Sequence, residues 1–218
     1  MIDAEIPEVR DFIKRMGSGC RTSVTLTHLS SHSDTIADEL LEPATRRTID
    51  EIRESQEEGY YVTLATVKGF DTKYKWFIES CKTCKSAVEL DDKGKWVCNA
   101  KCEGYAKFVV LRYKVRVNVV DHTGNATFIL FDSQVSNLIQ QSAKDLRDNQ
   151  LQHGDPDAYP SELDALLDRK FIFRIKVHPK YNLTKGWDSY SVNKLSEDPV
   201  LIEKYIGTCK TMPVRFRK

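Results

Sequence analysis

The sequence predicts a mainly β protein with a few helices, because two segments alternate like strands and a cysteine cassette lies among them. In residues 111–120, apolar and basic side chains alternate, with Tyr113 and three valines on one face of the predicted strand. Residues 170–178, KFIFRIKVH, alternate in the same way. Between these segments, apolar residues at 132–147 recur with the period of a helix. Four cysteines in residues 81–102 interrupt the strands.

The predicted elements follow one another in a simple order. Thr48, with Glu51 three residues later, forms a capping-box pattern, so a short helix is predicted to begin there and to end before Gly59. Strands are predicted at 60–70 and 73–80, then at 111–120 and 127–131 as a hairpin around Gly124. After the helix at 132–147 come a short helix or turn at 162–168, strands at 170–178 and 188–195, and a closing helix at 198–205.

This order predicts the architecture. A small antiparallel sheet with one helix between its third and fourth main strands is typical of the OB-fold, a five-stranded Greek-key barrel whose face and loops bind single-stranded nucleic acid. The first 48 residues are too short to bury a core of their own. They form either a tail that packs on the main domain or the end of a preceding one.

The four clustered cysteines predict a metal site. Cys81 and Cys84 form a C-x2-C pair, and Cys98 and Cys102 form a C-x3-C pair after thirteen further residues. Two such knuckles, joined by a hairpin around DDKG, place four thiolates in the tetrahedron that a structural Zn²⁺ requires. We therefore predict an inserted zinc ribbon with one structural zinc ion, and four protein ligands leave no open position for catalysis. The alternative is a set of unrelated reduced cysteines.

The charges are unevenly distributed along the chain. The net charge is only +1, but residues 60–119 carry twelve Lys/Arg against six Asp/Glu. Residues 169–194 carry seven basic residues against one acid, while residues 132–168 carry eight acids against two. The basic segments either line a groove for a polyanion or coat solvated strand faces. No apolar run approaches the length of a membrane span and no signal peptide is visible, so an intracellular protein without a membrane partner is expected.

Several motifs together resemble a known family. YVTLATVKGF, the ribbon in WFIESCKTC…CNAKC, the hairpin in FVVLRYKVRVNVVDHTGNATFILFD, and KFIFRIKVHPKYN leading to YSVNKL resemble the C-terminal DNA-binding domain of the replication protein A large subunit. The TGNATFILFD stretch is similar to plant-type paralogues, of which the chain is either a member or a fragment. The resemblance covers residues 49 to about 205, although that subunit carries further OB-folds upstream.

The resemblance implies three regions and a function. Residues 1–48 are expected to be the remnant of a preceding OB-fold plus a linker, residues 49–206 the OB-fold DNA-binding domain with the ribbon at about 78–107, and residues 207–218 a basic tail. It implies single-stranded DNA binding in replication, repair and recombination, a nuclear location, and assembly with the middle and small subunits of the heterotrimer. The alternative is an assembly module with weak DNA binding.

Binding of single strands needs cations for phosphates and aromatic rings for bases. Because Trp76 and Phe77 are neighbours in a strand, one of them is expected in the core and the other as a platform, and flanking charge favours Trp76 as the platform. Phe131 and Phe173 are expected in the core. The predicted DNA-binding residues are Lys73, Lys75, Trp76, Arg112, Lys114, Arg116, Lys176, Lys180, Tyr181, Lys185 and Trp187.

The closing helix is the element that joins the partner subunits in the resembled family. Its predicted partner-binding residues are Val200, Leu201, Ile202 and Tyr205. The same side chains could instead pack on the domain's own barrel. No Walker loop, nucleophile elbow or His-x-Glu deaminase pattern occurs, so an enzyme is not expected.

Overall fold

The computed structural model describes residues 32–42, 45–102, 104–178 and 189–209, which all fall within one compact unit, His32–Lys218. The strands are β1 (Gly59–Phe70), β2 (Phe77–Cys81), β3 (Glu89–Leu90), β4 (Trp96–Cys98), β5 (Gly104–Tyr105), β6 (Val109–Val120), β7 (Asn125–Phe131), β8 (Lys170–Val177) and β9 (Ser189–Ser196). The helices are α1 (His32–Leu41), α2 (Ile49–Glu54), α3 (Asp132–Ile139), α4 (Ala143–His153), a 3₁₀ helix (Ser161–Leu166) and α5 (Pro199–Cys209). Among these helices, none has the length and hydrophobicity to cross a membrane.

Five strands close into a barrel in the order β1-β8-β9-β7-β6, and β6 pairs back onto β1. Every pairing in this ring is antiparallel except that of β7 with β9. β1 reaches both neighbours because its pairing shifts register between Val67 and Gly69, and such an irregularity bends a strand. The predicted OB-fold is therefore confirmed.

The barrel core consists of the side chains that strand alternation predicts. From β6, Tyr113, Val115, Val117 and Val119 are all fully buried, while the residues between them are partly exposed. β8 contributes Phe173, whose ring meets that of Phe128 from β7 edge-on with centroids 5.1 Å apart. Full burial of one such side chain stabilises the fold by roughly 1.5–3 kcal/mol relative to leaving it exposed.

Helices close the ends of the barrel. α2 begins at the predicted capping box on Thr48 and inserts Ile49 and Ile52 into the core. The single helix predicted at 132–147 is instead two helices, α3 and α4. Gln140 adopts a left-handed conformation with φ of 55° and ends α3, and the Ser142 hydroxyl then caps α4 by accepting from the backbone N–H of Asp145.

A second, smaller apolar cluster lies outside the barrel. Leu40 of α1 and Tyr205 of α5 pack on Val62 and Ile172, which face outwards from β1 and β8 and are nevertheless fully buried. The buried Arg46 binds these parts together. Its guanidinium donates to the carbonyl oxygen of Leu41 at 2.8 Å and to that of Tyr205 at 3.2 Å, and lies over the Tyr205 ring. A cation among helix C-terminal carbonyls is favourable because it opposes the helix dipole.

The ribbon is inserted between β1 and β6. β2 pairs with the first residues of β6, and the short strands β3, β4 and β5 form a separate sheet. Trp76 precedes β2, and its backbone carbonyl accepts from the Lys114 N–H at 2.9 Å. The ribbon is thus joined directly to the strand that carries the basic run at 112–116.

Candidate metal centre and nucleic-acid interface

The predicted cysteines converge to one point. The sulfur atoms of Cys81, Cys84, Cys98 and Cys102 all lie within 4.8 Å of one another. The Cys84 and Cys98 sulfurs are 3.3 Å apart, and those of Cys81 and Cys102 are 3.8 Å apart. In a tetrahedron with zinc–sulfur bonds of about 2.3 Å, neighbouring sulfurs are about 3.8 Å apart. The cluster therefore fits a tetrahedrally coordinated metal ion.

Backbone geometry forms the first knuckle. Lys85 takes a left-handed conformation with φ of 64°, so the chain turns tightly, and its N–H donates to the Cys81 carbonyl at 2.9 Å. The Cys81 N–H in turn donates to the carbonyl of Ser86 at 2.9 Å. Val88 and Cys98 are buried beneath this turn. The cluster is held by a short hydrogen-bonded loop with a small apolar base.

Backbone hydrogen bonds favour the thiolate form, which is the form that binds metal, in two of the four cysteines. The Ser86 backbone N–H, followed by the Ser86 side chain, lowers the pKa of Cys84 to about 6, and the Cys84 backbone N–H lowers that of Cys81. Hydrogen bonds with Cys84 and Cys81 raise the pKa of Cys102 to about 12. Four thiolates this close repel one another, and a divalent cation removes that repulsion. No other group of three or more metal-ligating side chains occurs in the part of the chain that the structure covers.

A row of polar and aromatic side chains covers the outer face of β6 and β7. Alternation places Arg112, Lys114, Arg116 and Asn118 of β6 on this face. In the antiparallel pairing of β6 with β7, Lys114 is opposite Phe131 and Arg116 is opposite Ile129. Phe131, expected in the core, is 37% exposed because the strand ends there and its ring falls on the outer parity. The β6–β7 face therefore offers an aromatic surface that the sequence pattern did not reveal.

Tyr74 completes this surface from the loop before β2. The residue is 52% exposed, and the Arg116 guanidinium lies over its ring at 3.8 Å from the centroid. Arg116 also donates to the Ser189 hydroxyl of β9 at 3.4 Å. Lys73 and Lys75, both predicted DNA-binding residues, flank Tyr74 and are exposed. In KYKWF, Tyr74 rather than Trp76 is the exposed aromatic residue beside the lysines.

The structure corrects the prediction for Trp76. Its side chain is only 3% exposed and contacts the rings of Phe77 and Tyr113 at centroid distances of 4.8 and 5.6 Å. Phe77 is buried too, because Arg147 of α4 covers it. The alternation rule fails at this position because Trp76 lies before β2 begins, where the loop passes over the end of the barrel. Trp76 has no face open to a base.

The predicted cations differ in their surroundings. Arg112 is partly buried and donates to Asp132 at 2.8 Å, so its charge is balanced within the chain. Burial and the neighbouring Arg116 lower the pKa of Lys114, which has no ion-pair partner among the described residues. Lys176 lies opposite Ser191 of β9, on the same outer face, and is 3.9 Å from Glu58. The predicted residues Lys180, Tyr181, Lys185 and Trp187 lie outside the described residues.

The closing helix divides its apolar residues between two environments. Tyr205 is buried in the cluster with Leu40, which corrects its prediction as a partner contact, and Leu201 and Ile202 pack against the same cluster in part. Val200, by contrast, is 56% exposed, and Ile206 is 40% exposed. Packing on the chain's own barrel, the alternative left open by the sequence, thus applies to three of the four predicted residues.

The family of this chain follows from its similarity to known proteins. Residues 60–200 match the family described as the replication factor-A C terminal domain, a span of more than half the chain. The chain belongs to this family. Its matched region contains all four cysteines and the β6–β7 face, and ends at Val200. The predicted relationship to the replication protein A large subunit is confirmed.

Two relatives from Arabidopsis thaliana extend the comparison, and both bear the name replication protein A 70 kDa DNA-binding subunit. One is 28% identical over 58% of this chain, and the other is 25% identical over 54%. The matches cover 21% and 19% of those relatives, so the chain spans about a fifth of their length.

A solved structure shares the fold. "Structure and Conformational Change of a Replication Protein A Heterotrimer Bound to ssDNA" superposes with a TM-score of 0.53 at 21% identity, over 76% of this chain and 39% of that one. At this level of identity, the similarity shows a common fold.

Proposed function

We propose that this chain is a non-catalytic, single-stranded DNA-binding module of a replication protein A large-subunit-like protein. It acts in replication, repair and recombination in the nucleus. The observation that carries the proposal is the β6–β7 face, where Tyr74 and Phe131 present exposed rings beside Lys114 and Arg116. The names of the Arabidopsis relatives and the single-stranded DNA in the solved heterotrimer support it.

The electrostatics of this face favour an anion. Lys114 and Arg116 are close enough for the arginine to lower the pKa of the lysine, which means that their charges repel. A phosphate between them relieves that repulsion, and the counterions released from the strand add to the gain. Tyr74, with Arg116 already stacked on one face, keeps its other side for a base. Each of these contacts is independent of base identity.

The metal in the ribbon is proposed to be one Zn²⁺ ion with a structural role. Cys81, Cys84, Cys98 and Cys102 would hold it. Because four sulfur ligands leave no open coordination position, the role of the ion would be to cross-link the ribbon. The ribbon sheet carries little apolar core of its own beyond Val88 and its neighbours. Metal binding is therefore expected to provide most of the free energy that keeps the ribbon folded.

The direct test is binding of an oligo-dT of about 12 nucleotides, within the ~4–16 nucleotides that one OB-fold covers. Affinity should fall steeply with salt, with a slope of about 0.7 per phosphate contact in a plot of log K against log salt. Equal affinity for duplex DNA of the same length, or no binding at low salt, contradicts the proposal.

A specific observation also favours the second candidate function, assembly with middle and small subunits. Val200 and Ile206 leave apolar surface exposed on α5, which a partner helix would cover. Because Leu201 packs inside the chain, Val200→Asp is a cleaner test than Leu201→Asp. Loss of co-purification with smaller OB-fold subunits, without loss of thermal stability, would favour assembly. Retention of the partners would count against it.

A further inference from the structure

A second tyrosine–arginine pair lies on the outer surface of the barrel, on β1 and β8. Tyr60 of β1 is 38% exposed, and the guanidinium of Arg174 from β8 lies over its ring at 4.1 Å from the centroid. Lys176, the next outward residue of β8, places its ammonium group 6.0 Å from the same centroid. The arrangement repeats that of Tyr74 beneath Arg116. An accessible ring beside cations is the combination that binding of a single strand requires.

Backbone pairing connects the two pairs across the barrel. Arg116 is opposite Ile129 of β7, and Ile129 is opposite Ser191 of β9. Ser191 is opposite Lys176 of β8, and Lys176 is opposite Tyr60 of β1. This row crosses five strands in four steps of about 4.8 Å, or about 19 Å. That distance corresponds to about six stacked nucleotides at about 3.4 Å each, so the row suits a single strand that runs across the β-strands.

The residues between the two pairs are accessible on β7 and β9. Ile129 is buried within the row, but Phe131, two residues further along β7, is exposed. Ser191 of β9 is exposed as well, and its side chain is small. A strand that leaves Tyr74 therefore passes over Phe131 and Ser191 before it reaches Tyr60, and it stays on accessible surface.

The charges around Tyr60 favour an anion. The Glu39 carboxylate of α1 is shared by two cations, since it lies 3.3 Å from Arg174 and 2.9 Å from Lys194. Lys176 lies 3.9 Å from Glu58, whose side chain is 63% exposed, so water screens this pair and it contributes little. Three cations thus meet two carboxylates, and Lys176 remains available to a phosphate.

We propose that Tyr60 is a second base-stacking residue and that the single strand crosses the barrel from Tyr74 to Tyr60, with Lys176 contacting a phosphate beside it. This inference rests on the proposed function, and it adds the path of the strand over β7, β9 and β8. A path along β6 towards the ribbon would leave Tyr60 without a base.

The first test measures the affinity for a labelled oligo-dT of about 12 nucleotides by fluorescence anisotropy. Tyr60→Ala should raise the Kd about fivefold or more because one stacked base is lost, whereas Tyr60→Phe should bind within about twofold of the wild type. Lys176→Met should lower the slope of log K against log salt by about 0.7. Tyr105→Ala is the matched control, because it removes an exposed tyrosine beneath a lysine in the ribbon, outside the row.

Two further measurements separate contact from a structural role. A strand that carries 5-iododeoxyuridine should photo-crosslink to Tyr60 as well as to Tyr74, as mapped by mass spectrometry. Ser191→Glu and Ser191→Gln place side chains of the same size, charged or neutral, in the middle of the path. The Glu variant should bind oligo-dT about fivefold or more weakly than the Gln variant at low salt, and this ratio should shrink as salt is added.

Melting temperatures establish that each variant is folded, and the Ser191 variants keep the test decisive if Tyr60→Ala is unstable. Binding by folded Tyr60→Ala within about twofold of the wild type would overturn the proposal. A crosslink at Tyr74 without one at Tyr60, or equal affinities of the two Ser191 variants, would overturn it as well. Failure of the wild type to bind oligo-dT would instead refute the proposed DNA-binding function.

Discussion

Replacing Tyr74 by alanine removes the more exposed of the two aromatic rings on the β6–β7 face. Arg116 occupies one side of that ring at 3.8 Å, and Tyr74 as a residue is 52% exposed, so we expect a base to stack on the opposite side. Stacking of one base on an aromatic side chain contributes about 1–3 kcal/mol. Because a single side is available, we expect a loss of about 1–2 kcal/mol, or a Kd for oligo-dT that is about 5–30-fold higher.

The assay is fluorescence anisotropy with oligo-dT at several salt concentrations. Tyr74→Ala should weaken binding without changing the salt slope, because the ring contacts no phosphate. Arg116→Met should lower the slope by about 0.7, since it removes one cation from the strand. Two variants serve as controls. Tyr74→Phe keeps the ring and should bind within about twofold of the wild type. Tyr105→Ala removes another exposed tyrosine, which is 59% exposed and carries Lys95 over its ring, from β5 of the ribbon.

One result would refute this reasoning. If Tyr74→Ala binds oligo-dT as the wild type does while Tyr105→Ala binds it weakly, the strand lies on the ribbon and not on the β6–β7 face. Near-normal binding by both variants would mean that phosphate contacts alone account for the affinity.

The metal centre and the helices give three further predictions. Cys98→Ser should lower the bound zinc from one to none per chain by elemental analysis, and zero zinc in the folded wild type would contradict the ribbon assignment. Arg46→Met should lower the free energy of unfolding by about 2–4 kcal/mol in urea, because buried carbonyls including that of Tyr205 lose their donor; an unchanged midpoint would exclude this anchoring role. Glu39→Gln tests the pH dependence of α1 docking. A hydrogen bond from Lys194, and then the charge of Arg174, lower the pKa of Glu39 below its usual 4.5. The stability that the Glu39 carboxylate adds to the folded state is therefore present above pH 4.5 and is lost as the pH falls through the lowered pKa. The variant should therefore melt at a lower temperature at neutral pH and lose less stability on acidification; identical pH profiles would contradict it.

Local patterns predicted a large part of the candidate site. The spacing of Cys81, Cys84, Cys98 and Cys102 specified the cluster because ligand spacing within a knuckle is a property of a few consecutive residues. The outward position of Arg116 followed from strand alternation, which depends only on backbone geometry. The roles of Trp76 and Tyr205 were predicted incorrectly, since each depends on residues distant in the chain that cover the side chain. Phe131 was predicted in the core because it is apolar, although it lies on the outer parity at the end of β7.

The sequence by itself determined the barrel and the ribbon, because alternation, the capping box at Thr48 and cysteine spacing are encoded within short segments. Only the tertiary structure decided which aromatic rings are open to a base. Tyr74 stays exposed in the loop before β2, with Arg116 over its ring, whereas Trp76 is covered at the end of the barrel by Phe77 and Tyr113. The docking of α2 on the turn between β6 and β7 likewise joins segments that are distant in the chain. Burial depends on such long-range contacts, which no local pattern records.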